Sequence, residues 1–200
     1  MSTGRSGGRR FDHAYGVTTH AVLFLTDLEP DAAGDAGAHA THYEAVPVSE
    51  FHQLIATLTP DTIEQSTFVD VGAGMGRAMI LAAEYPFQQV CGVEVSASLY
   101  EIARENLEIV RKHPLRCRDL RLVHADARAW NYPPGDLVVF LFNPFDAKAM
   151  TQTLACVKGR RDPGQTYLLY HTPVERSAIE AAGGWQLDVR LACGDAYSYR

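Results

Sequence analysis

Glycine and acidic residues between positions 70 and 126 could together hold a nucleoside. The stretch FVDVGAGMGRAM, residues 68–79, has glycines at 72, 74 and 76 directly after an apolar run. Glycine allows a tight turn from a strand into a helix, and it lets a ligand approach the main chain where a Cβ would clash. Glu94 in GVEVS could accept both hydroxyls of a ribose, and Asp126 in HADAR could accept an amino proton of an adenine.

The spacing of the glycines separates two kinds of ligand. It reads G-x-G-x-G with Asp70 two residues ahead, whereas the dinucleotide fingerprint is G-x-G-x-x-G. A phosphate-binding loop would end in G-K-S or G-K-T, but Arg77 follows Gly76. An NAD-dependent oxidoreductase shares the glycine turn and the acidic ribose partner, so it stays an alternative, which the spacing disfavours.

The elements that position these residues form a repeating pattern from Thr67 onward. Helix-like segments at 77–85 and 97–113 alternate with apolar, strand-like segments, and Ser96 or the pair Ser98 and Glu101 could cap the second helix. The strand-like segments are TFVDV, QVCGVEV, DLRLVHA, DLVVFLF, TYLLYH, WQLDVRLA and AYSYR. This alternation predicts an α/β fold with a doubly wound, mostly parallel, seven-stranded Rossmann-like sheet and helices on both faces.

Ligands of such sheets bind beyond the carboxyl ends of the strands. The glycine turn, Glu94 and Asp126 each follow a predicted strand, and the next strand ends in LFNPFD. Asn143, Pro144 and Phe145 should therefore lie at the mouth of the same cleft. The four strand ends together are a more specific signal than any one of them.

The N-terminal part of the chain is predicted to differ from this domain. Residues 1–10, MSTGRSGGRR, are small, polar and basic, which predicts a disordered tail. Residues 11–60 are predicted to form a helical lead-in or lid segment, with a loop at 31–41 and an amphipathic helix at 48–58. Residues 61–200 then form the ligand-binding domain.

Composition limits the partners. The formal net charge of -6 argues against a long nucleic acid as the partner. The four cysteines form no C-x-x-C pair and no cluster with histidines, so we expect neither a metal site nor a disulfide framework. The sequence has no apolar run long enough to cross a bilayer and none near its start, so we expect a cytoplasmic protein without a membrane partner.

The motifs together resemble those of a known family. The run from Phe68 to Phe145 resembles the core of the class I S-adenosylmethionine-dependent methyltransferases, with VDVGAGMGR, GVEVS, ADA and FNPF as its four motifs. FDHAYGVTTH and YEAVP resemble the lead-in of a bacterial subgroup whose substrates are mostly unassigned. The resemblance covers most of residues 11–170. It implies S-adenosylmethionine as the cofactor, S-adenosylhomocysteine as the product, and direct in-line transfer of the methyl group.

The resemblance also implies roles for single residues. Asp70, Gly72 and Gly74 would line the methionine end of the cofactor, and Glu94 would hold the ribose. The implied cofactor-binding set is Thr19, Tyr43, Asp70, Gly72, Ala73, Gly74, Glu94, Val95, Asp126, Ala127 and Asn143. The implied catalytic group is Asn143, Pro144 and Phe145.

The fourth motif departs from one pattern in the family. The N-methyltransferases of adenine and glutamine have two prolines before the aromatic residue, whereas this chain has only N-P-F. Asn143 and the Pro144 carbonyl could still orient a target nitrogen, so we expect N-methylation of a small molecule or a protein side chain.

Two alternatives to this expectation remain. A hydroxyl acceptor would need a general base, for which His13, His20 and His42 are the candidates. A scaffold subunit that keeps the fold without catalysis also stays open, because every motif except FNPF concerns the cofactor.

Overall fold

The computed structural model describes residues 3–24, 42–144 and 146–199, without the side chains of residues 3–6, 23, 24 and 42. The predicted loop at 31–41 and the candidate Phe145 lie outside the described residues.

The described elements alternate as the sequence pattern predicts. The first half contains α1 (Thr3–Tyr15), β1 (Val22–Phe24), β2 (His42–Glu44), α2 (Val48–Ile55), α3 (Pro60–Gln65), β3 (Thr67–Val71), α4 (Arg77–Ala82), β4 (Gln89–Glu94) and α5 (Ala97–Val110). The second half contains β5 (Leu120–His124), β6 (Gly135–Phe142), α6 (Ala147–Lys158), β7 (Pro163–His171), α7 (Arg176–Ala182), β8 (Trp185–Arg190) and β9 (Gly194–Tyr199).

Strands β3 to β9 form one seven-stranded sheet in the order β5-β4-β3-β6-β7-β9-β8. Strands β5, β4, β3, β6 and β7 run parallel to one another, whereas β9 lies antiparallel between β7 and β8. The predicted doubly wound, mostly parallel sheet is therefore confirmed. The chain leaves β3 towards one edge and returns at β6 towards the other, so a crevice opens between these two strands.

Helices cover both faces of the sheet because both faces of its central strands are apolar. On one face, the buried rings of Phe51 in α2, Phe68 in β3 and Phe140 in β6 have centroids 5.4 to 6.1 Å apart. On the other face, Val139 and Leu141 belong to a cluster with residues of α6 and α7. The amphipathic helix predicted at 48–58 is confirmed as α2, which buries Phe51, Leu54 and Ile55.

The structure differs from the sequence prediction at the N terminus. Residues 3–10 were expected to be disordered, but they belong to helix α1. The residues that anchor this helix lie at its second half: Phe11 is buried, and its ring lies 4.8 Å from that of Tyr15. Residues 1–10 contain no bulky apolar side chain after Met1, so the pattern within that window gave no sign of the helix.

Candidate active site

A cavity opens at the carboxyl ends of β3, β4, β5 and β6. Segments at 43–46, 70–78, 93–99, 125–128 and 140–144, together with Ala149, contribute its walls. Ten of the residues singled out in the sequence line it: Tyr43, Asp70, Gly72, Ala73, Gly74, Glu94, Val95, Asp126, Ala127 and Pro144. Thr19 and Asn143 are described but do not line the cavity.

Glu94 fixes the geometry where β3 and β4 end. Its carboxylate is 6% exposed and accepts hydrogen bonds from the Gly74 N–H at 2.7 Å and the Ser96 N–H at 2.8 Å. Burial raises the pKa of Glu94, and the hydrogen bonds from Ser96, Gly74 and Val95 oppose that rise. One side chain therefore joins the glycine turn to the start of α5, with both carboxylate oxygens held in place.

Asp70 is a second buried acid at the same edge. It is 3% exposed, and burial together with the nearby charge of Glu94 raises its pKa to about 8. A hydrogen bond from the Met79 backbone opposes this shift. Asp70 is therefore largely neutral at pH 7 in the free protein.

Asp126 shares its carboxylate with an arginine that sequence reasoning did not single out. The Arg128 guanidinium donates to Asp126 at 2.7 and 3.0 Å, and the Arg128 N–H also donates to it at 2.9 Å. Both residues line the cavity. The HADAR sequence contains the pair, but a spacing of two residues does not reveal that the side chains meet.

The glycines of the turn face protein atoms as well as the cavity. Gly72 and Gly74 have φ angles of 75° and 55°, in the left-handed region that favours glycine. A Cβ on Gly74 would lie 2.3 Å from the Tyr43 ring, and a Cβ on Gly72 would lie 2.7 Å from Pro144. The side chains of Tyr43 and Pro144 therefore occupy the space that a Cβ on these glycines would take. The sequence suggested that a ligand would occupy it.

Four residues join the N-terminal segment to this turn, and we call them the Arg77 cluster: Asp12, Thr19, Tyr43 and Arg77. Arg77 is 2% exposed, and its guanidinium donates to the Thr19 hydroxyl and, at 3.0 Å, to Asp12. The Tyr43 hydroxyl donates to the Thr19 carbonyl at 2.7 Å. Tyr43 lines the cavity, and Thr19 bonds its hydroxyl without lining the cavity itself. Sequence reasoning used Arg77 only to exclude a phosphate-binding loop and missed this buried cation.

Asn143 holds a neighbouring loop. Its Nδ2 donates to the Thr172 carbonyl at 2.6 Å, and its Oδ1 accepts from the Val174 N–H at 3.3 Å. Asn143 and Thr172 both have left-handed backbones, with φ angles of 42° and 47°. That conformation is strained for a β-branched residue such as Thr172. Pro144, next in the chain, lines the cavity.

None of the candidate general bases whose side chains are described lines the cavity. His13 is exposed, His20 packs against Gly8, and the side chain of His42 lies outside the described residues. His171 is buried behind Phe142, with one ring nitrogen 2.6 Å from Glu50 and the other 3.1 Å from the Thr172 hydroxyl. Among the described residues that line the cavity, none is a histidine or a lysine.

Within the described ranges, no group of three or more His, Cys, Asp or Glu side chains could hold a metal ion. No described helix has the length and apolar character needed to span a bilayer.

A comparison with protein families distinguishes a methyltransferase from an NAD-dependent oxidoreductase. Residues 68–164 match a family model described as "Methyltransferase domain". The match covers just under half of the chain and identifies a methyltransferase domain, in agreement with the resemblance to S-adenosylmethionine-dependent methyltransferases. The protein is therefore an enzyme of the transferase class with S-adenosylmethionine as its cofactor, and the NAD-dependent oxidoreductase is not supported.

Solved structures share the fold of this methyltransferase. The ribosomal protein L11 methylase of Lactobacillus delbrueckii subsp. bulgaricus superposes with a TM-score of 0.51 at 16% identity over 74% of this chain and 75% of that one. Magnesium protoporphyrin IX methyltransferase of Synechocystis PCC 6803, solved with bound S-adenosylmethionine, gives 0.53 at 13% identity over 76% of each chain. The methyltransferase domain of bacterial CtHen1 gives 0.54 at 14% identity over 74% of this chain and 96% of that one. No curated protein matches the chain in a sequence search.

The residues of the methyltransferase cavity fit a cationic nucleoside. Glu94 and Asp70 supply carboxyl groups that could oppose the sulfonium and ammonium charges of the cofactor. Leu99, Ala125 and Ala127 supply apolar walls for a planar base.

We expect the affinity of the methyltransferase for its cofactor to rise with pH through Asp70. Below about pH 8 this carboxyl is protonated in the free protein, and a cationic ligand beside it would favour the ionised form. Binding should then release up to one proton, so affinity should increase by up to about tenfold per pH unit between pH 6 and 8. Calorimetry in buffers of different ionisation enthalpy measures the released proton.

Asp70→Asn is the control, because an amide has no proton to lose, and a variant that kept the wild-type pH slope would contradict the assignment. The same pKa shift also affects folding. The folded pKa of about 8 lies above the unfolded value of 3.8, so the free protein should lose stability as pH rises through that interval.

Proposed function

We propose that this methyltransferase transfers the methyl group of S-adenosylmethionine to a nitrogen atom of a small molecule or a protein side chain. The observation that carries the proposal is the composition of the cavity at the ends of β3 and β6. Pro144, Phe140, Phe142 and Val46 line it there, and the described lining residues include no histidine or lysine. An apolar wall suits an amine, because burial favours its neutral form and so exposes the lone pair.

The cofactor would lie along the strand ends in the order that the sheet gives them. We assign the adenine to Asp126 and Ala127 beyond β5, and the ribose to Glu94 and Val95 beyond β4. The methionine end would lie against the turn after β3, with Asp70, Gly72, Ala73 and Gly74. A sulfonium methyl is already activated, so the chain has to align the acceptor with the S–CH3 bond and exclude water.

We assign Asn143 a positioning role that acts through its loop. Because both polar atoms of its side chain bond residues 172–174, the amide ties the end of β6 to the loop after β7. This contact holds Pro144 against Gly72, at the cavity wall. The Pro144 carbonyl is then the group that we propose accepts a hydrogen bond from the target nitrogen.

Transfer of label tests the proposal directly. The protein is incubated with methyl-labelled S-adenosylmethionine and a cell extract separated into small molecules, protein and nucleic acid. We expect label in the small-molecule or protein fraction, as N-methyl groups that mass spectrometry identifies. Label in nuclease-sensitive material, label on oxygen, or no label despite cofactor binding would each contradict the proposal. A long nucleic acid is the acceptor that the net charge of -6 disfavours.

Replacing Asn143 should affect turnover more than cofactor affinity. With the labelled acceptor in hand, we expect Asn143→Ala to lower kcat by about 10- to 100-fold, because a misplacement of about 1 Å costs that much in a positioned reaction. The affinity for S-adenosylhomocysteine should stay within about twofold, since the side chain does not line the cavity.

Asn131→Ala is the matched control, because Asn131 is exposed. Asn143→Asp keeps the acceptor for Val174 but points a carboxylate oxygen at the Thr172 carbonyl, so it should lower turnover at least as much as alanine does. Wild-type turnover in Asn143→Ala would remove Asn143 from the acceptor site.

A further inference from the structure

The Arg77 cluster lies at one end of the cavity and has no role in the proposed function so far. Arg77 is the first residue of α4, directly after Gly76 in the glycine turn. An arginine at such a position could extend into solvent. Instead it is 2% exposed and lines the cavity.

All described partners of the guanidinium come from one stretch of chain, residues 8–19. Nη2 donates to Asp12 at 3.0 Å and to the Gly8 carbonyl at 3.4 Å, and Nε donates to the Thr19 hydroxyl. The guanidinium carbon lies 4.5 Å from the centre of the Phe11 ring. One side chain therefore fastens the second half of α1 and the segment after it to the glycine turn.

Asp12 organises the same segment from within. Its Oδ2 accepts from the Thr19 N–H at 2.9 Å and the His20 N–H at 2.7 Å, and its Oδ1 accepts from the Thr19 hydroxyl at 2.6 Å. The Asp12 carboxylate thus bends residues 12–20 into a loop and pairs with Arg77 at the same time. The loop and the ion pair should form or separate together.

Two further contacts connect this loop to the turn. Asn106 of α5 bonds both main-chain groups of Thr18, at 2.9 and 2.8 Å, and also donates to the Met75 carbonyl at 3.0 Å. The Tyr43 ring covers Gly74, and its hydroxyl bonds the Thr19 carbonyl. Direct contacts therefore connect the turn at residues 74–77 to residues 12–20.

The position of Arg77 along the cavity indicates which end of the cofactor it would meet. The strand order puts Asp126, Glu94 and the glycine turn in sequence along the sheet edge. Arg77 follows the turn, at the end opposite Asp126. The methionine end carries the only carboxylate of the cofactor, and a carboxylate pairs most favourably with a guanidinium. Both arginines that line the described cavity pair with an aspartate, Arg77 with Asp12 and Arg128 with Asp126, so their position along the cavity is what distinguishes them.

We propose that Arg77 and Asp12 couple the N-terminal segment to the methionine end of the cofactor, so that docking of residues 8–20 and binding of that end stabilise each other. Arg77 is in this view a positioning residue that belongs both to the cavity wall and to the segment that closes it. The inference rests on the proposed use of this cavity for the cofactor. By linkage, the ligand must favour the docked segment as strongly as the docked segment favours the ligand.

Two ligands that differ only at the methionine end test the coupling. S-adenosylhomocysteine carries the amino-acid group, whereas 5′-methylthioadenosine has the same adenosine and sulfur without it. We expect Arg77→Met to weaken S-adenosylhomocysteine binding by about five- to 150-fold, the usual range for coupled sites. Its affinity for 5′-methylthioadenosine should stay within about twofold. Arg104→Met is the control, because Arg104 forms an exposed ion pair with Glu101 on α5.

Hydrogen exchange provides the second measurement. In the wild type, S-adenosylhomocysteine should slow exchange at the Thr19 and His20 amides, which Asp12 holds, and 5′-methylthioadenosine should not. Arg77→Met should abolish this difference. If Arg77→Met does not fold, Asp12→Asn removes the charge with little change in shape, and the same ligand discrimination is expected.

Equal losses for the two ligands would overturn the coupling and leave Arg77 as a structural anchor. Unchanged protection by S-adenosylhomocysteine in Arg77→Met or Asp12→Asn would overturn it as well. A wild-type chain that binds neither ligand would instead overturn the proposed use of the cavity, so the two failures are distinguishable.

Discussion

Replacing Glu94 with alanine should weaken binding of S-adenosylhomocysteine by about 1 to 3 kcal/mol, which is about 5- to 150-fold. The loss has two origins. The ribose would lose a charged acceptor in a buried site, and the buried N–H groups of Gly74 and Ser96 would lose their partner. Because each unsatisfied buried donor costs about 1 to 3 kcal/mol, the free protein should also become less stable. Calorimetry measures the binding, and urea denaturation measures the stability.

A comparison of substitutions separates the two origins. Glu94→Gln keeps one oxygen acceptor but turns an amide N–H towards a main-chain donor, so it should be impaired less than alanine in both measurements. Glu101→Ala, on the exposed side of α5, should change neither the affinity nor the stability appreciably. If Glu94→Ala lost stability but bound S-adenosylhomocysteine normally, Glu94 would be a structural brace of the turn, and the ribose site would lie elsewhere.

The sheet could be predicted because its signals are local. Strands β3 and β6 are short apolar runs, and they are buried on both faces as central parallel strands are. The start of α5 could also be predicted from the sequence, because Ser96 is a typical N-cap residue. In the structure its side chain accepts a hydrogen bond from the Leu99 N–H. The end of α4 could not be predicted: the helix-like pattern continues to Tyr85, but the helix ends at Ala82 and a turn follows.

The position of β9 between β7 and β8 depends on contacts that no local pattern contains. Its residues pair with both neighbours, Tyr197 with Leu168 on one side and with Leu187 on the other. The sequence shows only that the segment can be a strand. Helix α1 is a similar case, because Phe11 and Arg77 lie 66 positions apart in the chain and meet only in the folded protein.

The candidate site likewise has a part that the sequence predicts and a part that it does not. Residues whose chemistry shows in their type and place after a strand, such as Glu94 and Asp70, were predicted to line the cleft and do line it. The direction of a side chain could not be predicted, and Asn143 illustrates this. It follows the expected strand, but its amide bonds residues 172–174 and does not line the cavity. The lid role of residues 11–60 stays a prediction.

Gly74→Ala is expected to have the largest effect of any single substitution at the site. A Cβ there would lie 2.3 Å from the Tyr43 ring, and the φ of 55° adds about 1 to 2 kcal/mol for a residue other than glycine. With overpacking of about 1 to 3 kcal/mol, unfolding should require about 2 to 5 kcal/mol less. The turn should also shift its N–H away from Glu94, so affinity for S-adenosylhomocysteine should fall by about 5- to 150-fold.

The double variant Gly74→Ala with Tyr43→Ala tells which neighbour needs the missing Cβ. If the Tyr43 ring is the obstacle, removing it should recover part of the stability and part of the affinity. Because Tyr43 itself lines the cavity, Tyr43→Ala alone is the reference for affinity. Recovery of stability with an affinity still below that of Tyr43→Ala would mean that the ligand itself approaches Gly74, as the sequence suggested. Gly7→Ala is the control, because Gly7 lies in α1 with no atom within 4 Å of an added Cβ, and a helical Gly-to-Ala change should stabilise by up to about 1 kcal/mol. Wild-type affinity in Gly74→Ala would contradict both explanations, since the added atom would then have found room beside the ring.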